Sequence, residues 1–305
     1  MPASVRAAAG IPSRPAEGGL VRRKARAYTT LTKPGITVFI TLAAAAAYLV
    51  AAGGVAPGLL ALAAATALAS AGAATLNQYL ERDADARMRR TALRPLPAGD
   101  VSPREALGVG VALSAAGLAL SALTLPLPAT LLLAASHASY VALYTPLKRL
   151  TPLCTLAGAL PGALPVLAGW SATGAPLDAT AWGLAGVLYL WQLPHFLAIG
   201  WLCREDYRRG GFRVLAVFDA DGRRTGRQST LYAAALLPVS LLPALAGPAG
   251  PLYLLLAATL GAAYLLLSVD LLRRPDTARA RRLFFASLAY LPLLLLVLVG
   301  GTLLG

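Results

Sequence analysis

The sequence predicts an all-α membrane protein built as one integrated bundle of nine transmembrane helices. Three observations predict it. Apolar residues make up 57% of the 305 positions and charged residues only 13%, against roughly 25% charged in an ordinary soluble domain. Nine apolar runs are each long enough to cross roughly 30 Å of hydrocarbon, which takes about 20 helical residues at 1.5 Å apiece. The charges, finally, segregate between alternate loops. With a mean hydropathy of +0.66, disorder, collagen and coiled coil are excluded, and a soluble enzyme is disfavoured.

In chain order the runs fall at 35–53, 57–78, 105–125, 127–146, 152–171, 179–202, 229–247, 250–272 and 283–304. Stretches such as Ala43–Ala47 and Leu293–Leu296 are apolar filler of these spans. The charges test the count independently. All 27 Lys and Arg lie before residue 34 or in 79–104, 147–151, 203–228 and 273–282, segments that nine crossings put on one side. The opposite loops, 54–56, around 126, 172–178 and around 248, carry only Asp178 as a charge. A wrong count would scatter the charges over both faces. Positive-inside bias then predicts a multi-pass protein of the cell (inner or plasma) membrane, N-terminus cytoplasmic and C-terminus outside. The net charge of +14 is thereby topology, and no nucleic-acid partner is expected.

Residues 1–27 mix Arg with Ala, Ser, Pro and Gly and hold no apolar stretch of signal-peptide length. They read as a disordered cytoplasmic tail, with a transit peptide as the alternative, ahead of a single polytopic domain at 28–305. Cys154 and Cys203 fit neither a disulfide framework nor a zinc spacing and read as inert.

Two of the basic loops are long and carry acids among many arginines, which is uncommon between hydrophobic spans unless the loop has a job. In the first, NQYLERDADARMRRTALRPL (77–96), Asn77, Glu81 and Asp85 recur every four residues and share one helix face, with Asp83 off it. Two carboxylates and an amide oxygen are hard ligands that suit Mg²⁺ held together with substrate phosphates. Arg82, Arg87, Arg89, Arg90 and Arg94 surround them. A solvated helix end with salt bridges such as Asp85–Arg89 is the bland alternative, and Arg90 and Arg94 then serve as membrane anchors.

The second loop and its helix read YLWQLPHFLAIGWLCREDYRRGGFRV (189–214). His195 and Gln192 interrupt an otherwise apolar span, and an ionisable residue at membrane depth is a functional candidate by default. On one continuous helix, Gln192, His195 and Asp206 lie near one line running from mid-membrane to the cytoplasmic mouth, with a bend at Pro194. A helix-packing histidine is the competing reading of His195, and His137 reads that way outright. The Gly210–Gly211 pair predicts a tight turn presenting backbone N–H groups to an anion.

These segments, with YTPLKRLTPLCTLAGALPGALPVLAGW (144–170), DGRRTGRQ (221–228) and LTKPGI (31–36), resemble the protoheme IX farnesyltransferases. That family, also called the heme O synthases, is a branch of the UbiA-type intramembrane aromatic prenyltransferase superfamily. The likeness runs from about residue 28 to 304. WQLPHF paired with REDYRRGG is its most specific part. It implies a bundle around a central cavity, in which farnesyl diphosphate is bridged by Mg²⁺ and ionises, and the allylic cation adds to a vinyl group of heme b. Asn77, Glu81, Asp85 and Asp206 take the catalytic and metal-ligating places, although Gly210 stands where a second carboxylate is usual. Arg90, Arg94, Lys148, Arg149 and Arg209 take the diphosphate, and His195 and Gln192 the heme. Implied partners are farnesyl diphosphate, heme b, membrane lipid, and a downstream heme-modifying enzyme or terminal-oxidase assembly. Cys154 stands where asparagine is expected. A quinone-type prenyltransferase and, from a different class, a membrane transporter are the competing functions. The latter needs polar residues along a full crossing, whereas here they stop near mid-membrane.

Overall fold

The computed structural model describes residues 19–247 and 249–304. Among them every regular element is a helix, with no strand, and nine helices are long and apolar enough to span a membrane. The chain opens with α1 (Leu20–Leu31) and the first span α2 (Pro34–Ala52). The next three spans are α3 (Gly58–Asp85), α4 (Pro103–Thr124) and α5 (Leu127–Leu147). After them come α6 (Cys154–Ser171), α7 (Ala179–Leu202), the short α8 (Arg204–Gly210), α9 (Arg223–Leu245), α10 (Pro251–Arg273) and α11 (Thr277–Leu304).

The observed spans match the apolar runs in number and order, and they differ at the ends. α3 continues seven residues beyond 78 and carries the acidic row inside a helix. α9 begins six residues before 229 because Asp219 accepts from the Thr225 amide (2.7 Å) and hydroxyl (2.6 Å). That carboxylate sits where a helix N-terminus favours negative charge. α4 starts in a capping box, Glu105 N–H to Ser102 Oγ (3.2 Å) and Ser102 N–H to Glu105 Oε2 (2.8 Å).

The expected tail is partly corrected. Residues 1–18 lie outside the described residues, but 20–27 form the first part of α1. Ala27 and Leu31 bury against Leu96, Val101 and Ala106, while Arg23 pairs with Asp100 (2.8 Å) and Lys24 with Glu105 (2.7 Å).

Large side chains such as Leu60, Leu123, Leu131, Leu255 and Leu296 point outward, as lipid-facing positions do. The interior is lined by small residues and by buried Tyr253, Tyr264 and Tyr290. Helices therefore approach closely at glycine: a Cβ on Gly169 would stand 2.0 Å from the Ala44 carbonyl oxygen, and one on Gly117 2.4 Å from the Ala69 nitrogen. Close backbone approach of this kind is how helices gain dispersion energy in a membrane. α5 carries a π-helical stretch at Ser139–Tyr144. Pro146, two residues on, has no N–H to offer the ladder, and the Thr145 hydroxyl donates to the Tyr140 carbonyl (2.8 Å).

Candidate active site

Asn77, Glu81 and Asp85 form one stripe along the last turns of α3, at 0%, 3% and 0% exposure; Asp83 points into solvent. Burying carboxylates in a row is costly unless each is paired, and each member of the row has its own partner from a different segment. Lys33 Nζ donates to Asn77 Oδ1 (2.7 Å), Lys148 Nζ to Glu81 Oε1 (2.8 Å), and Arg94 to both Asp85 oxygens (2.9 and 2.7 Å). The Asn77 amide donates onward to Thr145 Oγ1 (3.0 Å). The salt bridge Asp85–Arg89 of the bland reading is not the one formed.

Local backbone explains how these cations arrive. Lys33 joins α1 to α2 at φ 46°, ψ 62°, the sole non-glycine residue with positive φ among the described residues. That conformation costs an L-residue about 1–2 kcal/mol, and it turns the side chain toward Asn77 and the Tyr140 hydroxyl (3.4 Å). Lys148 follows the π-helical stretch, its ammonium 4.4 Å from the Tyr144 ring centre. Burial works against its charge, but the Glu81 carboxylate prevails and holds its pKa well above the ordinary lysine value. Arg94 precedes Pro95, which keeps it extended (φ −62°, ψ 155°).

The second acidic segment corrects the expected single helix face. α7 ends at Leu202 and Cys203 leaves helical geometry at φ −109°, ψ 16°, so Asp206 belongs to the separate α8. The Asp206 carboxylate accepts from the backbone N–H groups of Arg89 and Arg90 (3.1 Å each), and Arg87 donates to the Gly210 carbonyl (2.9 Å). These three bonds stitch the two acidic loops together. The glycine turn is also corrected. Gly211 takes φ 77° as a helix cap, and the Gly211 and Phe212 amides donate to the Arg208 (3.1 Å) and Tyr207 (2.9 Å) carbonyls rather than facing an anion.

The remaining basic candidates are spread around this core. Arg90 is exposed, 5.9 Å from the Tyr207 ring centre; Arg209 faces Glu205 (3.5 Å); Arg149 donates to the Leu80 carbonyl (3.1 Å). Cys154 is buried and helps line a cavity of about 40 Å³ with Tyr144, Phe196, Gly200, Tyr207 and Leu215.

Deeper in α7, Gln192 and His195 turn to different neighbours. Gln192 donates to the carbonyls of Ala159 (2.9 Å) and Leu188 (3.0 Å), packed over Gly162. His195 faces α11 instead: Nδ1 meets Ser287 Oγ at 2.6 Å, and the ring stacks on Trp191 and on Phe284. His137 approaches the Ala69 carbonyl (3.3 Å), the packing role expected of it.

The donor chemistry fits Mg²⁺. Among the described residues no three of His, Cys, Asp and Glu gather into a complete metal cage. Magnesium that relies on substrate phosphates needs only one or two carboxylates, and the row supplies buried oxygen donors with cations beside them. Sequence reasoning missed Lys33 as a site residue. Its signal was a lone lysine directly before the Pro34 that starts a span, opposite the row in the bundle.

Among the described residues, nine candidate spans carry a row of buried oxygen donors with cations beside them, and this intramembrane bundle is of the prenyl-transfer class: the chain belongs to the UbiA prenyltransferase family, whose model matches residues 37–291. Its relatives are, more particularly, protoheme IX farnesyltransferases. It is 45% identical over 229 residues to that of Solibacter usitatus (75% of this chain, 78% of the relative) and 43% identical over 274 residues to that of an Anaeromyxobacter species (89% and 92%). Two solved structures share the fold. One is of a digeranylgeranylglyceryl phosphate synthase (TM-score 0.78, 18% identity, 92% of this chain and 99% of that one). The other is of a UbiA homologue from Archaeoglobus fulgidus bound to DMAPP and Mg²⁺ (TM-score 0.66, 17% identity, 90% and 98%).

Proposed function

We propose that this prenyltransferase moves the farnesyl group of farnesyl diphosphate onto a vinyl group of heme b, making heme O for terminal oxidases. The names of its relatives support the substrates, and the buried row of Asn77, Glu81 and Asp85, each with its own basic partner, is the observation that carries the chemistry. An allylic diphosphate is stable until its leaving group is neutralised. The C–O bond then breaks, diphosphate leaves with the electron pair, and the vinyl π electrons close the new C–C bond. Water adds to the resulting cation and loses a proton, which completes the hydroxyethylfarnesyl side chain. Glu81 and Asp85, with Asn77 and Asp206, would hold Mg²⁺, which would supply Lewis-acid neutralisation of the diphosphate.

The protein's own residues do the rest. Lys33, Lys148 and Arg94 already stand at the row and turn from its oxygens to the incoming phosphates, with Arg90, Arg149 and Arg209 at the rim. The apolar interior below keeps water from the cation until the acceptor has reacted. His195 and Gln192, deeper on α7, meet the porphyrin. In this reading residues 28–305 act as one domain around a central cavity in the inner membrane. The acidic loops are cytoplasmic and the C-terminus outside, and heme O passes to a heme-modifying enzyme or oxidase assembly. Purified protein incubated with heme b, farnesyl diphosphate and Mg²⁺ is expected to give farnesylated heme by mass analysis. A phenolic quinone precursor prenylated while heme b stays unmodified would overturn the reading.

A further inference from the structure

We propose that Ser287 fixes the tautomer of His195 and thereby selects Nε2 as the nitrogen offered to heme; the inference rests on the reading of His195 as a heme contact. Ser287 is fully buried on α11. Its Oγ lies 2.5 Å from the Phe284 carbonyl oxygen and 2.6 Å from His195 Nδ1. A hydroxyl has one proton and a carbonyl oxygen can only accept. The contact with Phe284 therefore consumes the serine proton, because two lone pairs would otherwise face each other across 2.5 Å. Ser287 Oγ is left as an acceptor, and Nδ1 of His195 must be the protonated nitrogen. In a neutral imidazole the lone pair then resides on Nε2, for which no hydrogen-bond partner stands among the described residues. A nitrogen in that state can ligate iron, whereas a protonated one cannot.

The ring is held in place as well as in tautomer. Trp191 stacks on it at 5.5 Å between ring centres and 20° between planes, and Phe284 at 5.1 Å and 27°. Trp191 is itself tied to α11 by its indole N–H on the Ser287 carbonyl (2.8 Å) and to α10 by the Tyr264 hydroxyl on its own carbonyl (3.2 Å). One serine thus accepts from the imidazole through its side chain and from the neighbouring indole through its backbone. Rotating His195 away breaks its bond to Ser287 Oγ and its stacking on Trp191. Partners of this kind typically change metal affinity by 10–100-fold when removed. Ser287 is a positioning residue here and touches no substrate.

The chain has only two histidines, so ¹⁵N-histidine labelling of the intact protein gives two resolvable side chains, with His137→Gln assigning them. We expect His195 to carry its proton on Nδ1, and a proton on Nε2 overturns the proposal even if no variant folds. Ser287→Ala is expected to weaken heme b binding about tenfold and shift the Soret band, with farnesyl diphosphate affinity unchanged. Wild-type heme affinity and spectrum in Ser287→Ala overturn the proposal alone, provided His195→Ala shows the loss. If His195→Ala also binds heme b as wild type does, the heme reading of His195 fails first.

Discussion

Lys148 Nζ and Glu81 Oε1 meet at 2.8 Å from positions 67 apart in the chain, with side chains only 13% and 5% exposed. Removing one partner of a buried pair strands the other charge, which typically costs about 3–5 kcal/mol. Lys148→Met is accordingly expected to destabilise the protein by roughly that amount in detergent unfolding. The double variant Lys148→Met/Glu81→Leu should regain most of the loss while remaining inactive. Equal stability of Lys148→Met and wild type would show that the pair is not buried as described.

Turnover tests the row and Asp206 directly. Glu81→Gln, Asp85→Asn and Asp206→Asn are each expected to lose at least 3 kcal/mol of transition-state stabilisation, on the order of a hundredfold in rate, while still inserting and folding. Product yield by mass analysis of the heme reads this out. Wild-type rate in any one of them removes that residue from the machinery.

The same lysine makes a statement about pH. Its folded pKa lies well above the ordinary 10.5. A group raised on folding contributes stability that is fully present below its unfolded pKa and is lost only as pH rises through the folded one. The stability difference between wild type and Lys148→Met should therefore stay flat from about pH 7 to pH 10 and shrink only in stronger alkali. A difference already falling between about pH 7 and 9 would mean the Glu81 contact does not hold the ammonium.

Orientation is open to labelling. Asp83 and Asp221 have side chains 72% and 65% exposed on the two basic loops. Cysteines placed there, in a chain lacking Cys154 and Cys203, should react with impermeant reagent in inverted vesicles and not in intact cells. The reverse pattern would turn the bundle over.

Close helix contact predicts a graded response at glycine. Gly169→Ala places a methyl 2.0 Å from the Ala44 oxygen, whereas a Cβ on Gly300 meets nothing within 4 Å. Overpacking commonly costs about 1–3 kcal/mol, so Gly169→Ala should lower thermal stability and Gly300→Ala should leave it unchanged.

Spans were legible because hydropathy and charge segregation are one-dimensional signals that a bilayer imposes separately on every segment. The acidic row was equally legible, since four-residue spacing survives any packing. What periodicity could not show was pairing at long range. Lys33 meets Asn77 through a strained joint, marked locally only by the Pro34 that follows it, and Ser287 meets His195 through α11 with no local mark at all. The one-face reading of His195 with Asp206 failed for a related reason. Arithmetic at a fixed turn angle assumes an unbroken helix, and nothing about Cys203 announces a break. The glycine pair misled because a cap needs the same residues as an anion-binding turn.

The discontinuity at Cys203 divides the span into two bodies that answer to different partners. Below it, WQLPHF is wedged among α2, α6, α10 and α11; above it, REDYRRGG is sewn to the loop after α3. Substitutions that reshape the lower body to admit a different acceptor need not re-aim the upper one, because no rigid rod transmits the change. With the acceptor below the break and the diphosphate above it, as proposed, the chemistry of departure can be inherited intact while the choice of recipient is free to diverge.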